Sequence, residues 1–197
     1  MKPLLKKINR GVILSLLVIL ALVGYYVTIG IINRGVNEEL SKLCQSYLSV
    51  KQELALLPEE YRGGKTPVPE EVMKQRQEER AQKLTPLFTS GSKEAVDKTA
   101  SLLESNMVSS TSLEISGVGR VDYFSVLEEA SYRFKKVMNS SIQQDTATAI
   151  FSYEINEKNN NDGYVHQWKG VNQIKATFEK VDGKWLLTGI IDPYYAD

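Results

Sequence analysis

Residues 146–191 read TATAIFSYEINEKNNNDGYVHQWKGVNQIKATFEKVDGKWLLTGII, and this stretch decides the fold. Its apolar side chains recur at every second residue, which is the period of a β-strand with one buried face. Two hairpin signals, an Asn-rich turn at 159–163 and the pair Asp182-Gly183, divide it into three strands. An earlier strand contains Tyr132. The pattern therefore predicts an antiparallel meander of three to four strands.

The residues ahead of the sheet carry the period of helices. One apolar stripe runs through 36–57, a second helix opens at Pro69 with acidic residues in its first turn, and a third follows Ser92. The second helix contains a charge run at 74–80 that predicts a solvated face, and Gly170 predicts a bulge in its strand. Helices followed by antiparallel strands are typical of the α+β class, with the helices on one face of a curved sheet.

Residues 11–32 read GVILSLLVILALVGYYVTIGII, an apolar segment of 22 residues without a charge. A helix of that length spans about 33 Å, which matches a hydrocarbon core of roughly 30 Å. A cleaved signal peptide would have a shorter apolar region that ends at a small-x-small cleavage site, and this segment has neither feature. We therefore predict an uncleaved transmembrane helix at 11–32.

Basic residues are distributed unevenly around this segment. Arg34 is the only basic residue that follows it closely, whereas four precede it: Lys2, Lys6, Lys7 and Arg10. By the positive-inside rule, residues 1–10 form a cytoplasmic tail. The sequence predicts a single-pass protein of the cell membrane whose domain, residues 33–197, is extracytoplasmic.

The charge and cysteine content excludes several classes of protein. The 24 basic and 24 acidic residues balance, and residues 35–197 alone carry five more acidic than basic residues. A nucleic-acid binder needs a basic surface, so nucleic acid is not an expected partner. One cysteine and one histidine cannot form a disulfide framework or a typical zinc site. We expect no metal and no cofactor.

The apolar stripe of 36–57 allows two interpretations. It fits a short parallel coiled coil, a self-association seam formed by Leu40, Leu43, Tyr47, Val50 and Leu54. It also fits an amphipathic helix packed on the sheet of its own domain, which is favoured because the stripe covers under three heptads. For Cys44, in the same stretch, burial is favoured over an intermolecular disulfide because free cysteines are usually buried.

Several residues on the strands are candidates for lining a ligand cavity: Tyr132, Phe134, Tyr153, His166 and Trp168. The simpler interpretation is that such residues form the core that the helices cover. His166 is the only histidine, and a histidine can act as a general base near neutral pH. No sequence-near carboxylate orients it, so we predict no catalytic residue, while a small ligand stays an open alternative.

The closing stretch ATFEKVDGKWLL at 176–187, together with the order of helices and strands, resembles the nuclear transport factor 2-like (SnoaL-like) superfamily. The resemblance implies a cone of about three helices on a curved antiparallel sheet, whose last hairpin carries a D-G-x-W turn. A membrane anchor followed by such a domain is similar to the assembly-factor subunits of type IV secretion and conjugation machines. It is also similar to the stalk-type domains ahead of some penicillin-binding proteins.

The leading hypothesis for function is a non-catalytic scaffold or assembly subunit of a cell-envelope complex. Its expected partners are the membrane, other envelope proteins and the chain itself. The hypothesis follows from the anchor and from a sequence that offers no nucleophile–base pair, metal set or phosphate-binding loop. Two alternatives stay open: a ligand-binding or sensory module that uses the cone cavity, and a small enzyme of the isomerase or cyclase type.

Overall fold

The computed structural model describes residues 10–62, 68–105, 108–115, 119–161 and 164–191. Three α-helices precede the sheet: α1 spans Arg10–Glu53, α2 spans Glu70–Leu84 and α3 spans Lys93–Ser105. Short 3₁₀ turns flank α2, at Glu59–Tyr61 and Thr85–Leu87. The second helix begins directly after Pro69, as the sequence predicts.

Within these described ranges, five antiparallel strands form one sheet in the order β1-β2-β3-β4-β5. They are β1 (Val108–Ile115), β2 (Gly119–Gln143), β3 (Thr146–Asn161), β4 (Tyr164–Val181) and β5 (Lys184–Ile191). Each strand pairs with the next one along the chain, so the sheet is a meander. The predicted α+β class is confirmed. The sheet is larger than the predicted three to four strands because β1 pairs with the first part of β2.

The chain divides into two compact units between Glu38 and Glu39. In the first unit, α1 carries the apolar segment 11–32, whose residues are exposed apart from the half-buried Ile29. Within the described residues, α1 is the one helix that is long and apolar enough to cross a membrane. An exposed apolar surface of this length is consistent with the predicted transmembrane helix.

The second unit, from Glu39 onward, has its apolar core on one side of the sheet. We call the side that carries Phe151, Tyr153 and Ile155 the inner face, and the opposite side the outer face. Cross-strand pairing continues the inner face through β4 and β5, where it includes Ile174, Ala176, Phe178, Trp185 and Leu187. All of these side chains are buried, since apolar groups at alternate positions are removed from water together.

Gly170 does not interrupt its strand. β3 and β4 keep an unbroken register over their whole paired length, and Ile155 pairs with Gly170 within it. The asparagines at 159–161, predicted as part of a turn, also belong to this ladder. The indole of Trp168 lies over Gly170, where an added Cβ would be 3.2 Å from the ring. The predicted bulge is therefore wrong, and the missing side chain makes room for the tryptophan.

The charge run of helix α2 forms the predicted solvated face only in part, since Lys74, Gln75 and Glu78 are exposed and its arginines are not. Arg80 is fully buried and Arg76 is half-buried, although the run 74–80 contains no apolar residue. The Arg76 guanidinium donates to the Leu56 carbonyl oxygen at 2.5 Å and to Glu79 Oε2 at 2.7 Å. The aliphatic stem of an arginine can pack in a core, so a period counted on apolar residues alone does not detect these positions.

The last hairpin turns at Asp182 and Gly183, as the sequence predicts. Asp182 has a φ of 49° and Gly183 a φ of 81°. This left-handed pair is what a two-residue turn needs to match the twist of its two strands. Aspartate tolerates the left-handed region, and glycine adopts it without a steric penalty.

We expect Gly183→Ala to lower the free energy of unfolding of the full chain by about 1–2 kcal/mol, because a side chain is disfavoured at positive φ. No atom lies within 4 Å of the added Cβ, so backbone strain is the whole effect. Gly91→Ala is the matched control, since its Cβ also meets open space and its φ is not positive. Denaturant unfolding followed by tryptophan fluorescence measures both variants, and equal losses would contradict the explanation.

Candidate functional site

The end of α1 packs within its own domain. Leu40, Tyr47 and Leu54, three of the five residues predicted to form a self-association seam, are buried in the second unit. Leu43 and Val50 are half-buried. A second chain cannot reach the three buried side chains in this structure. The seam is therefore corrected to a core-facing stripe, which is the interpretation that the short length of the stripe favours.

Burial also lowers the reactivity of the Cys44 thiol. Its side chain is fully buried, and desolvation raises the pKa of the thiol to about 12, against the smaller opposing effect of a backbone hydrogen bond. A thiol that stays protonated and out of water is a poor nucleophile. Cys44 is thus a small core residue and is not placed to form a disulfide with another chain.

A buried lysine is a feature that the sequence pattern did not reveal. Lys51 is 2% exposed, and its Nζ lies 4.6 Å from the ring centre of Tyr132 and 5.1 Å from that of Tyr153. The ammonium group gains cation–π attraction from both rings, which offsets part of the cost of removing it from water. The same Nζ donates a hydrogen bond to the Tyr153 hydroxyl at 3.2 Å.

Polar contacts extend from Lys51 across three strands. The Tyr153 hydroxyl also accepts a hydrogen bond from Asn172 Nδ2 at 3.2 Å. The Tyr132 hydroxyl donates to Glu157 Oε1 at 2.6 Å. We call these five residues the lysine–tyrosine cluster. Because hydrogen bonds are directional, the cluster favours one position of α1 over β2, β3 and β4.

The spacing of the buried residues along α1 indicates that Lys51 is buried as well. It lies four residues after Tyr47 and three after Leu48, and both of those residues are buried. Residues three or four apart share one side of a helix, so Lys51 falls on the buried side. The predicted stripe counts apolar residues alone, so it includes the half-buried Leu43 and Val50 and omits Lys51. It therefore lies on a slightly different side of the helix from the buried residues.

Gln52, the next residue on α1, binds the backbone of β2. Its Nε2 donates to the carbonyl oxygen of Ala130 at 2.5 Å, and its Oε1 accepts from the N–H of Tyr132 at 2.8 Å. The carboxamide therefore makes the two hydrogen bonds that a neighbouring strand would make at this position. It satisfies backbone groups on the side of β2 that faces away from β3.

The five residues predicted to line a cavity do not converge on one site. Tyr132 and Phe134 line a cavity of about 350 Å³ between α1 and β2, together with Gln45, Leu48, Ser49 and Arg133. Tyr153 is fully buried in the lysine–tyrosine cluster. His166 is exposed on β4, and Trp168 is half-buried on the same strand. The cavity thus collects two of the five, and His166 is not among its lining residues.

A second cavity, of about 420 Å³, lies between the start of α3 and strands β4 and β5. Its polar lining includes Glu94, Lys98, Thr99, Lys175 and Thr177. Gly189 also lines it, and an added Cβ there would lie 3.1 Å from Thr177 Oγ1. No histidine or cysteine lines it. Within the part of the chain that the structure describes, no group of three or more His, Cys, Asp or Glu residues could hold a metal ion.

Ion pairs connect the strands on the outer face. Glu154 pairs with Lys135 at 2.5 Å and with Arg133, and the hydrogen bonds from Lys135 and then Arg133 lower the pKa of its carboxyl. Lys158 Nζ lies 3.2 Å from Glu128 Oε2. The pKa of Glu128 is lowered as well, first by a hydrogen bond from the Asn160 side chain. Exposed pairs of this kind contribute little stability each, and they describe a solvated surface.

No protein-family model matches the chain, and no curated protein matches it. Among solved structures, the chain is similar to the crystal structure of the intermembrane space region of the chloroplast protein ARC6. The two chains are 9% identical with a TM-score of 0.44, and the match covers 79% of this chain and 95% of that chain. A likeness of this strength identifies neither a family nor a function.

We expect Lys51→Ala to lower the free energy of unfolding by about 2–4 kcal/mol, since it removes a buried stem and the donor to Tyr153. Lys51→Met keeps the packed stem and loses the ammonium group, so its loss should be about 1–2 kcal/mol smaller. Lys42→Ala, at an exposed position of the same helix, is the control and should be near neutral. Denaturant unfolding of the full chain in detergent compares the three. Equal losses for the alanine and methionine variants at Lys51 would show that packing of the stem does not matter.

Proposed function

We propose that the chain is a membrane-anchored scaffold or assembly subunit of a cell-envelope complex, with its domain outside the cytoplasm. The observation that carries the proposal is the exposed apolar segment 11–32, which is joined in one chain to a folded unit that begins at Glu39. An anchor confines a domain to a surface and raises its effective concentration for the proteins beside it. Such confinement suits a protein that works by association.

The charge distribution supports the proposed orientation. Four basic residues precede the apolar segment, and Arg34 alone follows it closely. Residues 35–197 carry an excess of acidic residues, so an anionic lipid surface would repel the domain and not hold it. The domain would then be available to other envelope proteins.

The positions of the reactive groups favour association over catalysis. Cys44 and Lys51 are buried in the core, where a substrate cannot reach them. His166 is exposed on β4 and lines neither the 350 Å³ nor the 420 Å³ cavity. A general base must lie within hydrogen-bonding reach of a bound substrate, which an open strand position does not arrange.

We also propose that the domain is related to the nuclear transport factor 2-like superfamily. The order of helices and antiparallel strands supports this, as does the D-G-x-W turn that begins at Asp182. Assembly factors of secretion and conjugation machines resemble this chain in carrying such a domain behind an anchor. We therefore propose a complex of that class as the setting in which this subunit acts.

A ligand-binding or sensory role is the second candidate function. The 420 Å³ cavity between α3 and strands β4 and β5 favours it, because the volume suits a small molecule. Its charged lining consists of two lysines, Lys98 and Lys175, and one acidic residue, Glu94, so its net positive charge favours an anionic ligand. In this reading the anchor positions a sensor at the membrane.

A pair of cysteine variants tests the membrane topology. We expect Gln143→Cys, at an exposed position of the second unit, to react with a membrane-impermeant maleimide in intact cells. Lys2→Cys, ahead of the anchor, should react only after the cells are permeabilised. The unaltered chain is the control, because its one cysteine is buried and protonated. The reverse pattern, or labelling of both variants only after permeabilisation, would refute the proposed orientation.

Cross-linking in intact membranes tests the assembly role. We expect the tagged full chain to co-purify with other envelope proteins in a detergent-stable complex, because its function is taken to be association. His166→Ala should leave the composition and yield of that complex unchanged. Recovery of the chain without other proteins would contradict the scaffold proposal. Loss of the complex in His166→Ala, with an unchanged circular dichroism spectrum, would point to a functional site at this histidine.

A further inference from the structure

Strand β4 has two parts with different surroundings. β5 pairs only with β4 residues 175–181. Over 164–174, β4 pairs with β3 on one side, and no strand among the described residues pairs with it on the other. From Val165 to Gln173 every residue is exposed or half-buried, so the backbone of this edge is accessible. We call residues 164–174 the β4 edge.

An unpaired stretch of β2, on the opposite side of the sheet, is protected. Pairing with β1 ends at Val126, and over 127–143 no described strand lies beside β2 on that side. Gln52 occupies the edge near its start through its two bonds to the β2 backbone. Three register shifts interrupt the pairing of this part with β3, and Lys135 and Lys136 are exposed on it. Bulges, lysines and covering side chains are the usual means by which proteins block the pairing of an edge strand with another chain.

The β4 edge carries fewer of these protections: one exposed lysine, Lys169, and one backbone N–H, that of Gln173, which donates to Asn172 Oδ1 at 3.0 Å. Its register with β3 is unbroken, which keeps the strand regular. Between Val165 and Gln173, Lys169 is the one charged residue apart from the ionisable His166. Two valines on its outer face are among the most exposed apolar residues of the second unit, with 55% exposure at Val165 and 63% at Val171. A long, regular and partly apolar edge is a template for strand addition.

We propose that the β4 edge pairs antiparallel with the β4 edge of a second copy of this chain, with the two-fold axis at Trp168. In this register Val165 lies opposite Val171 of the second copy, and Val171 opposite its Val165. Gln167 lies opposite Lys169 of the second copy. The outer faces of the two sheets then join into one continuous surface of ten strands, since each copy contributes five.

The choice of a second copy and of this register follows from the side chains. A two-fold axis at Lys169 would place that lysine directly opposite itself, which is destabilising. An axis at Gln167 would place Val165 opposite Lys169 of the second copy. Only the axis at Trp168 pairs the two exposed valines with each other and gives each lysine a neutral partner. The edge is therefore complementary to itself, and the inference is independent of the proposed scaffold role.

Cross-linking of the full chain tests the register. Val165→Cys and Val171→Cys chains that carry different tags are co-expressed and treated in membranes with a short bismaleimide. We expect links between the two variants and none within either, since identical positions in the two copies would be about 20 Å apart. The native Cys44 gives little background because it is buried. Links within one variant, links to a different protein, or no links would each overturn the proposal.

Sedimentation of the full chain in detergent tests the energetics. We expect a concentration-dependent dimer, which Val171→Lys weakens about tenfold because both symmetric valine contacts are lost. Met138→Lys is the matched control, since Met138 is 48% exposed on the protected strand β2, and it should dimerise like the unaltered chain. A monomer at all concentrations would overturn the proposal. A dimer that Val171→Lys does not weaken would also overturn it, because the contact would then lie elsewhere.

Discussion

The packing of helix α1 on the inner face of β2 and β3 is the contact on which this side of the domain depends. Those strands expose a continuous apolar face, and a sheet of this kind is stable only when another element removes it from water. The segment of α1 from Leu40 to Lys51 does so with one side of the helix, and Leu54 follows just after the helix ends. Lys51 and Gln52 then add directional contacts, one to tyrosines inside the sheet and one to the backbone at its edge.

The parts of the fold that the sequence predicts are those with a local physical cause. Alternating burial imposes a period of two, and Asp182-Gly183 is a turn because few other pairs adopt its dihedral angles. The role of Gly170 has no local signal because it depends on a neighbour: Trp168 occupies the space that a side chain would fill. The prediction of three to four strands does not count β1 separately. The sequence between β1 and β2 contains no turn signal as strong as Asp-Gly.

The candidate site was less predictable for a related reason. Lys51 is buried against Tyr132 and Tyr153, which lie about 80 and 100 residues further along the chain. A local sequence pattern cannot predict a contact between residues so far apart in the chain. A lysine also normally indicates a solvated position. Arg80 is likewise fully buried although its charge indicates a solvated position. His166 is the only histidine in the sequence, yet it lines neither cavity, because the rarity of a residue does not determine where its side chain lies.

The unequal protection of the two unpaired edge stretches, 127–143 of β2 and 164–174 of β4, limits how far strand addition at these places can proceed. If both edges were bare, molecules could add to one another in a row without end, and the product would be a fibre. Gln52, the register shifts and the lysines of β2 block one of the two edges. At these two stretches each molecule can then accept one neighbour, so growth through them terminates after a single step. A protein held at high local density on a surface needs such a stop more than a dilute one does.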